Sequence, residues 1–347
     1  MHMADALISP AVGGIMWVAT IGVAAYSIKK IQNDLDEKKI PLMGVMAAFV
    51  FAAQMINFAI PGTGSSGHLG GGLLLAILLG PYAGFLAMAA ILSIQALFFA
   101  DGGLLALGCN IFNLGFFTCF IAYPLIYKPI MAKGYTPNRI LGAGMLAAII
   151  GLQLGAFSVV FETLFSGKTE LPFGTFLLLM QPIHLGIGVV EGLVVTAIVS
   201  FVWKERPEII ENAALGEALG SVSLKKVLIV LTLVAMFTGG VLSWFASANP
   251  DGLEWSMLKT AGVKVLKAPD GIHQTLSKIQ NKTALLPGYG FKEPDNEKAA
   301  SNKVGAGEAS WPAVSGGSSV AGFVGGGLTL AFVALVGFFI SLFKKEA

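Results

Sequence analysis

The first two residues of the chain carry three nitrogen atoms that could bind one metal ion. In Met1-His2 the α-amine, the His2 amide nitrogen and the His2 imidazole Nδ1 can close adjacent chelate rings. A planar set of nitrogen donors suits Ni²⁺ or Cu²⁺ and, less strictly, Co²⁺. One equatorial position stays open, and His68 in the segment GTGSSGHLGGG is the candidate fourth ligand. The alternative is a chance Met-His start and a solvated loop histidine.

The proposed chelate needs a free amine at Met1. The first apolar segment has no Lys or Arg before it and is followed by Lys29 and Lys30. This order is the reverse of a secretory signal peptide. We therefore expect Met1 to begin the mature chain.

The composition indicates a membrane protein. Hydrophobic residues make up 55% of the chain and charged residues 12%, with a mean hydropathy of +0.77. A soluble domain carries about 25% charged residues. The net charge of +2 gives no indication of a nucleic-acid partner, so membrane lipid is the expected surrounding. Cys109 and Cys119 share one apolar run, which favours buried thiols over a disulfide or zinc site.

The apolar segments predict an all-α polytopic membrane protein with a seven-helix body and a C-terminal two-helix hairpin. A spanning helix needs about 20 apolar residues. The body segments are 11–31, 41–60, 69–80, 81–100, 104–128, 139–165 and 176–203. The third is short and glycine-rich, so a half-helix is an alternative there. Two further segments, 225–246 and 320–343, flank a polar stretch.

The predicted domains are a metal-binding body at 1–205, a cytoplasmic linker at 206–224 and a two-helix domain at 225–347. The loop 247–318 is rich in Gly, Ser, Asn and Lys, and we expect it to be extracytoplasmic and mobile. Basic residues flanking membrane segments mark the cytoplasmic side. Placing the N-terminus outside and the C-terminus inside puts these basic residues in the cytoplasm: Lys29, Lys30, Lys38, Lys39, Lys128, Lys133, Arg139, Lys204, Arg206, Lys225, Lys226, Lys344 and Lys345.

Polar side chains at membrane depth are costly and are candidates for function. Asn110 and Asn113, three residues apart, share a helix face and could support the metal ligands. His184 and Glu191, seven apart, share a helix face and could line a metal exit route. Hydrogen bonds between helices are the alternative reading for most of these residues. The weaker candidates for support or pathway also include Asn57 and Ser66.

Three acidic residues, Glu162, Asp5 and Asp101, fall at or beyond the outer ends of predicted helices. They could attract cations by their charge. Ordinary solvation is the simpler expectation for each of them.

Two short motifs suggest enzymes. Gly64-Ser65-Ser66-Gly67 matches a GxSG serine-nucleophile pattern, which with His184 permits an intramembrane serine protease as a remote alternative. Ser166-Gly167-Lys168-Thr169 resembles the end of a phosphate-binding loop, but Glu162 stands where its first glycine belongs. We therefore expect no nucleotide site and no enzymatic activity in this chain. If the chain serves active uptake, the energy must come from elsewhere.

Four ordered segments resemble the CbiM/NikM family, the substrate-binding membrane components of energy-coupling-factor (ECF) nickel and cobalt transporters. They are MHMADALISP, GTGSSGHLGGGLLLAILLGPYAG, ALFFADGGLLALGCNIFNLG and HLGIGVVEGLVVTAIV, within residues 1–205. The segment ASANPDGLEWS at 246–256 resembles the PDGLE signature of the small NikN/CbiN-like subunit, fused here to the body.

The resemblance implies a square-planar set from the N-terminal amine, the second residue's amide and imidazole, and a loop histidine. The matching positions are Met1, His2 and His68. It also implies Ni²⁺ or Co²⁺ as the transported substrate without a cofactor, in a prokaryotic cell membrane. The implied partners are an ECF transmembrane coupling subunit (T component) and a cytoplasmic ATPase pair.

A stand-alone ion-coupled transporter is the main alternative, with His184 and Glu191 as a proton relay. Internal repeats are common in that class. No repeat of the two halves is visible in this sequence.

Overall fold

The computed structural model describes residues 2–32, 38–269, 271–292 and 311–342, so Met1 lies outside the described residues. The helices of the body are α1 (Pro10–Ile31), α2 (Lys39–Gln54), α3 (Gly72–Leu79), α4 (Pro81–Phe99), α5 (Leu107–Met131), α6 (Pro137–Phe165) and α7 (Phe173–Glu205). They are followed by α8 (Pro207–Leu215), α9 (Lys225–Gly240), α10 (Gly252–Ala261), α11 (Ile272–Thr283) and α12 (Gly316–Leu342). The predicted all-α class is confirmed.

Six of these helices, α1, α4, α5, α6, α7 and α12, are long and apolar enough to cross a membrane. The segment predicted at 69–80 is not a full span. Its helix α3 has 8 residues, and at 1.5 Å per residue this gives about 12 Å against a core of about 30 Å. The chain is therefore a multi-pass membrane protein in which α3 is a half-helix.

A two-stranded antiparallel ribbon, which the sequence patterns did not predict, occupies the end of the segment 41–60 and the loop after it. Its strands are β1 (Phe58–Ile60) and β2 (Ser65–Gly67), and Ala59 pairs with Ser66. The turn between them uses Gly62 and Gly64 at φ values of 75° and 72°, which favour glycine. The ribbon delivers His68 directly above the half-helix α3.

The C-terminal hairpin packs on the body through α2. Helices α9 and α12 both contact α2 and each other. A Cβ added at Gly322 would lie 2.5 Å from the Gly239 carbonyl oxygen, so the two backbones cross where neither residue has a side chain. The Cβ of a residue other than glycine at position 325 would lie 2.0 Å from the Phe51 ring.

The expectation of a mobile loop at 247–318 is wrong for the described parts. Residues 247–269 and 271–292 form α10 and α11 and bond to the body. The Ser247 N–H donates to the Asn57 carbonyl (2.6 Å), and the Leu285 N–H donates to the Phe98 carbonyl (2.8 Å). Some of the polar side chains that suggested disorder donate hydrogen bonds to carbonyls of the body. Gln280 Nε2, for example, donates to the Ala96 carbonyl (2.9 Å). Residues 293–310 lie outside the described residues.

The predicted linker 206–224 contains helix α8, which contacts the C-terminal end of α3. Its Ile209 and Ile210 are buried. An ion pair of 2.7 Å joins Lys226 to Glu205 beside it. This segment therefore connects the two domains while packing on the body.

Candidate metal centre

His2 and His68 come together at one end of the helix bundle. Their rings stack with centroids 4.8 Å apart and planes inclined by 10°. Both side chains are buried, with 8% of His68 and 5% of the His2 side chain exposed. Burial lowers the pKa of His68 to about 3, so its ring stays neutral and keeps the lone pair that a metal requires.

Asn110 holds the main chain beside His2. Its Oδ1 accepts from the Met3 N–H (2.8 Å), and its Nδ2 donates to the Met3 carbonyl (3.1 Å). The Gly103 N–H donates to the same carbonyl (2.9 Å). These bonds fix the peptide that follows the His2 amide nitrogen.

Asn113 lies one turn further along α5 and contacts Glu162 rather than the histidines. Its Nδ2 donates to Glu162 Oε2 (2.8 Å), and Ser158 Oγ donates to Glu162 Oε1 (3.3 Å). The expectation that Glu162 is solvated is wrong, because it is 5% exposed. Helix α5 covers the C-terminal end of α6 through the bond from Asn113 to Glu162. The residue pattern of α6 alone does not reveal this neighbour.

Asp101 contacts the His2 ring, which corrects its expected role as a solvated charge. His2 Nδ1 lies 3.1 Å from Asp101 Oδ1, and the Tyr289 hydroxyl donates to Asp101 Oδ2 (2.5 Å). Burial raises the pKa of the Asp101 carboxyl, but the His2 ring and the two hydrogen bonds outweigh burial and lower it. His2 Nε2 is buried without a partner among the described residues.

Asp5 is also not simply solvated. Its Oδ1 accepts from the Ala106 N–H (3.0 Å), and burial raises the pKa of its carboxyl. The sequence offered one signal for Asp101: it stands directly before Gly102-Gly103, in the same segment as Asn110.

The segment after His68 is clamped by Glu191 and Gln54. Glu191 Oε2 accepts from the Gly70 N–H (2.6 Å) and Oε1 from the Gly71 N–H (3.1 Å). Gln54 Nε2 donates to the Gly70 carbonyl (2.8 Å). The His68 Nδ1–H donates to the Leu69 carbonyl (3.0 Å), which leaves Nε2 as the atom with the lone pair.

His184 lies on α7 and is buried. Its Nδ1–H donates to the Met180 carbonyl (2.7 Å). Its Nε2 is buried and has no partner among the described residues. A small cavity joins the two histidines and is lined by His68, Gly70, Leu114, Leu152, His184 and Ile187.

The PDGLE segment covers the ribbon that carries His68. The Ser66 N–H donates to the Pro250 carbonyl (2.8 Å), and Ser66 Oγ donates to the Asn249 carbonyl (2.8 Å). Asp251 caps α10 by accepting from the Glu254 N–H (2.8 Å). In the part of the chain that the structure describes, Ser66 and His184 form no hydrogen bond, so the dyad of a serine protease is not assembled.

Asn57 also contacts the C-terminal domain, because its carbonyl accepts a hydrogen bond from the Ser247 N–H. Sequence reasoning did not foresee these contacts between the two domains. The signal available was the PDGLE signature itself, whose Asp is typical of a helix N-cap.

Conventional metal clusters are absent from residues 2–32, 38–269, 271–292 and 311–342, in which no group of three or more His, Cys, Asp or Glu side chains could hold an ion. Cys109 and Cys119 are buried free thiols, as expected.

Comparisons with known proteins identify the relatives of both parts. Residues 2–209 match the CbiM family model, "Cobalt uptake substrate-specific transmembrane region", and residues 225–342 match the PDGLE domain. An Archaeoglobus fulgidus protein named "Putative fused nickel transport protein NikMN" is 39% identical over 62% of this chain and 69% of its own length. The "Fused nickel transport protein NikMN" of Rhodobacter capsulatus is 34% identical over 47% of this chain and 46% of its own length.

A solved structure titled "Crystal Structure of an Truncated Transition metal Transporter" aligns with a TM-score of 0.52 at 29% identity. The alignment covers 59% of this chain and 99% of that one. This chain therefore belongs to the CbiM family of membrane proteins for metal uptake, as a CbiM/NikM body fused to a NikN-like PDGLE subunit.

Proposed function

We propose that this chain is the substrate-binding component of an ECF-type importer that takes up Ni²⁺ or Co²⁺. The ion is chelated by the N-terminal amine, the His2 amide and imidazole, and His68. The stacked pair of buried histidines carries this proposal. Asn110 supports it further by fixing the peptide next to the His2 amide.

The proposed donors favour a small ion that accepts square-planar coordination. Two imidazoles and two backbone-type nitrogen atoms form a set that suits Ni²⁺ and accepts Co²⁺. Binding through His2 Nδ1 replaces its contact with Asp101. Protons leave the amine and the amide on binding, so affinity falls as the pH falls.

The energy for uptake comes, in this proposal, from a T component and a cytoplasmic ATPase pair. The N-terminus and the His68 ribbon face outside and the C-terminus faces the cytoplasm, in agreement with the distribution of basic residues. Vanadate should then stop uptake of radioactive nickel, and a proton uncoupler should leave it unchanged at constant ATP. A stand-alone ion-coupled transporter would give the opposite pair of results.

The central test is the metal content of the purified chain by mass spectrometry, after intact mass has established that Met1 is present and unmodified. We expect about one Ni²⁺ per wild-type chain and a loss of at least tenfold in His2→Ala and His68→Ala. His273→Gln is the matched control, because His273 lies outside the pair and donates to the Ile8 carbonyl, which glutamine can also do.

A three-residue N-terminal extension tests the role of the amine. A single added residue is unsuitable, because histidine at the third position forms a new chelate with the amine and two amides. The extended chain should lose metal as His2→Ala does. Full binding by the extended chain would contradict chelation by the amine, and competition between Ni²⁺ and Co²⁺ on the wild type would establish the preferred ion.

A further inference from the structure

We infer that His184 Nε2 is a second metal ligand, which receives the ion from His68 on its way into the membrane part of the body. The inference rests on the proposed function, since it takes His68 as the last outer ligand. It assigns a binding role to a side chain whose lone pair has no other use among the described residues.

The tautomer of His184 is fixed by its helix. A carbonyl can only accept, so the bond from His184 Nδ1 to the Met180 oxygen (2.7 Å) places the proton on Nδ1. The lone pair is therefore on Nε2. A histidine that donates its other ring N–H to a backbone carbonyl is oriented as metal-ligating histidines are.

The lone pair of Nε2 is buried without a hydrogen-bond donor. His184 is 1% exposed, and Nε2 has no partner among the described residues. Buried polar atoms of native proteins are nearly always satisfied, so an orphan calls for a ligand, an ion or a water molecule. A neutral imidazole nitrogen is the commonest metal ligand in proteins, so a divalent cation is a chemically suitable partner for this lone pair.

The cavity gives the ion a direct step from His68 to His184. Both histidines line it, and its remaining side-chain walls are Leu114, Leu152 and Ile187. These apolar walls offer no competing ligand. An ion that leaves His68 in this direction therefore meets His184 as its next side-chain donor.

The depth of His184 agrees with a transit position. It lies eleven positions after Phe173, the first residue of α7, which is about 16 Å along the helix axis. Glu191 lies two turns further along the same helix and binds the Gly70 and Gly71 N–H groups. The segment from His68 to Gly71 thus runs along α7 from His184 towards Glu191.

The PDGLE segment packs directly against His184 and its neighbour Ile183. A Cβ added at Gly252 would lie 2.7 Å from Ile183 Cγ2 and 3.3 Å from His184 Cε1. The N-terminus of α10 can approach His184 this closely only because position 252 is glycine. The C-terminal domain thereby shields the transit ligand from solvent.

The test separates binding at the outer centre from transfer beyond it. His184→Gln is compared with wild type for nickel content after purification and for uptake of radioactive nickel by cells in which the wild type supports uptake. We expect nickel content within twofold of wild type and uptake reduced at least tenfold. His184→Cys should restore part of the uptake, since a thiolate binds nickel, whereas His184→Ser should not.

Gln181→Leu is the matched control, because Gln181 lies on the same helix and ties α7 to α6 through Gln153. It should retain uptake within twofold. Equal losses in Gln181→Leu and His184→Gln, unchanged uptake in His184→Gln, or equal uptake by the Cys and Ser variants would each overturn the transit role. A His184→Gln chain without nickel would make His184 part of the outer centre and overturn it as well.

These outcomes leave the proposed function standing, because its own tests do not involve His184: the metal content of wild type, His2→Ala, His68→Ala and the extended chain, and the response of uptake to vanadate and an uncoupler.

Discussion

The candidate metal centre has two sides that hold the N-terminal peptide by different means. The floor, formed by Asn110, Asn113 and Glu162, lies on the long membrane helices α5 and α6. The lid, formed by residues 247–269 and 271–292, consists of two short helices and irregular segments. The floor uses buried amide side chains, whereas the lid bonds mainly to carbonyls of the body, such as those of Phe98 and Ala96.

This contrast separates permanent from reversible contacts. The floor side chains lie on helices that the membrane forces to stay formed, since a spanning backbone must satisfy its own hydrogen bonds. The lid segments are shorter than most spanning helices and outside the predicted membrane, where water can replace each bond. We therefore expect floor substitutions to change affinity and lid substitutions to change exchange rates.

The largest effect is expected for Asn110→Ala in the floor. The substitution leaves the Met3 N–H without its acceptor and removes one of two donors to the Met3 carbonyl. Loss of a group that orients a metal ligand costs about 10- to 100-fold in affinity. Competition with a chromophoric nickel chelator measures the Kd. An affinity within threefold of wild type would show that the peptide orders itself without the floor.

The next effect concerns the docking of the lid. In Gly252→Leu the added side chain collides with Ile183, and such overpacking costs about 1–3 kcal/mol. Hydrogen exchange at the Ser66 amide, which donates to Pro250, should accelerate about tenfold or more. Gly290→Leu is the control, since a Cβ there meets open space. Equal exchange rates at the Ser66 amide in both variants would show that docking of the lid does not protect the ribbon.

A smaller effect is expected for Tyr289→Phe, which removes one hydrogen bond from the lid to Asp101. A bond to a charged group contributes about 1.5–3 kcal/mol when buried and less where Asp101 is partly exposed. Release of bound nickel to excess chelator should accelerate about fivefold, with a smaller change in Kd. A changed Kd with an unchanged release rate would assign Tyr289 to the floor instead.

The smallest effect is a shift in thermal stability with pH in the metal-free chain. Folding depresses the pKa of His68 from 6.5 to about 3, so the unfolded chain binds a proton that the folded chain does not. Stability is therefore lost as the pH falls from about 6.5 towards 3. Over this pH range the Tm of His68→Gln should fall by a few degrees less than that of the wild type. Gly252→Leu should also flatten the profile if the lid keeps His68 buried.

The floor could be predicted from sequence more fully than the lid. Asn110 and Asn113 are polar residues within an apolar helix, and their spacing alone indicates a shared face. The charged residues Asp101 and Glu162 were misjudged, because a helix-end position does not reveal which neighbour covers it. The ribbon and the lid depend on pairings such as Leu285 with Phe98, far apart in the chain. Local patterns carry no information about such pairs.

The covalent connection between the domains has a consequence for how the lid reaches its site. Helix α8 and the residues after it lie on the body, and the Lys226–Glu205 ion pair closes the connection at the start of α9. A tethered lid faces the ribbon at an effective concentration of about millimolar or more, whatever the abundance of the protein. Its docking is then a first-order equilibrium that dilution does not change. We expect every copy of the chain to carry its own lid at any expression level. The amount of nickel bound should therefore scale linearly with the number of copies.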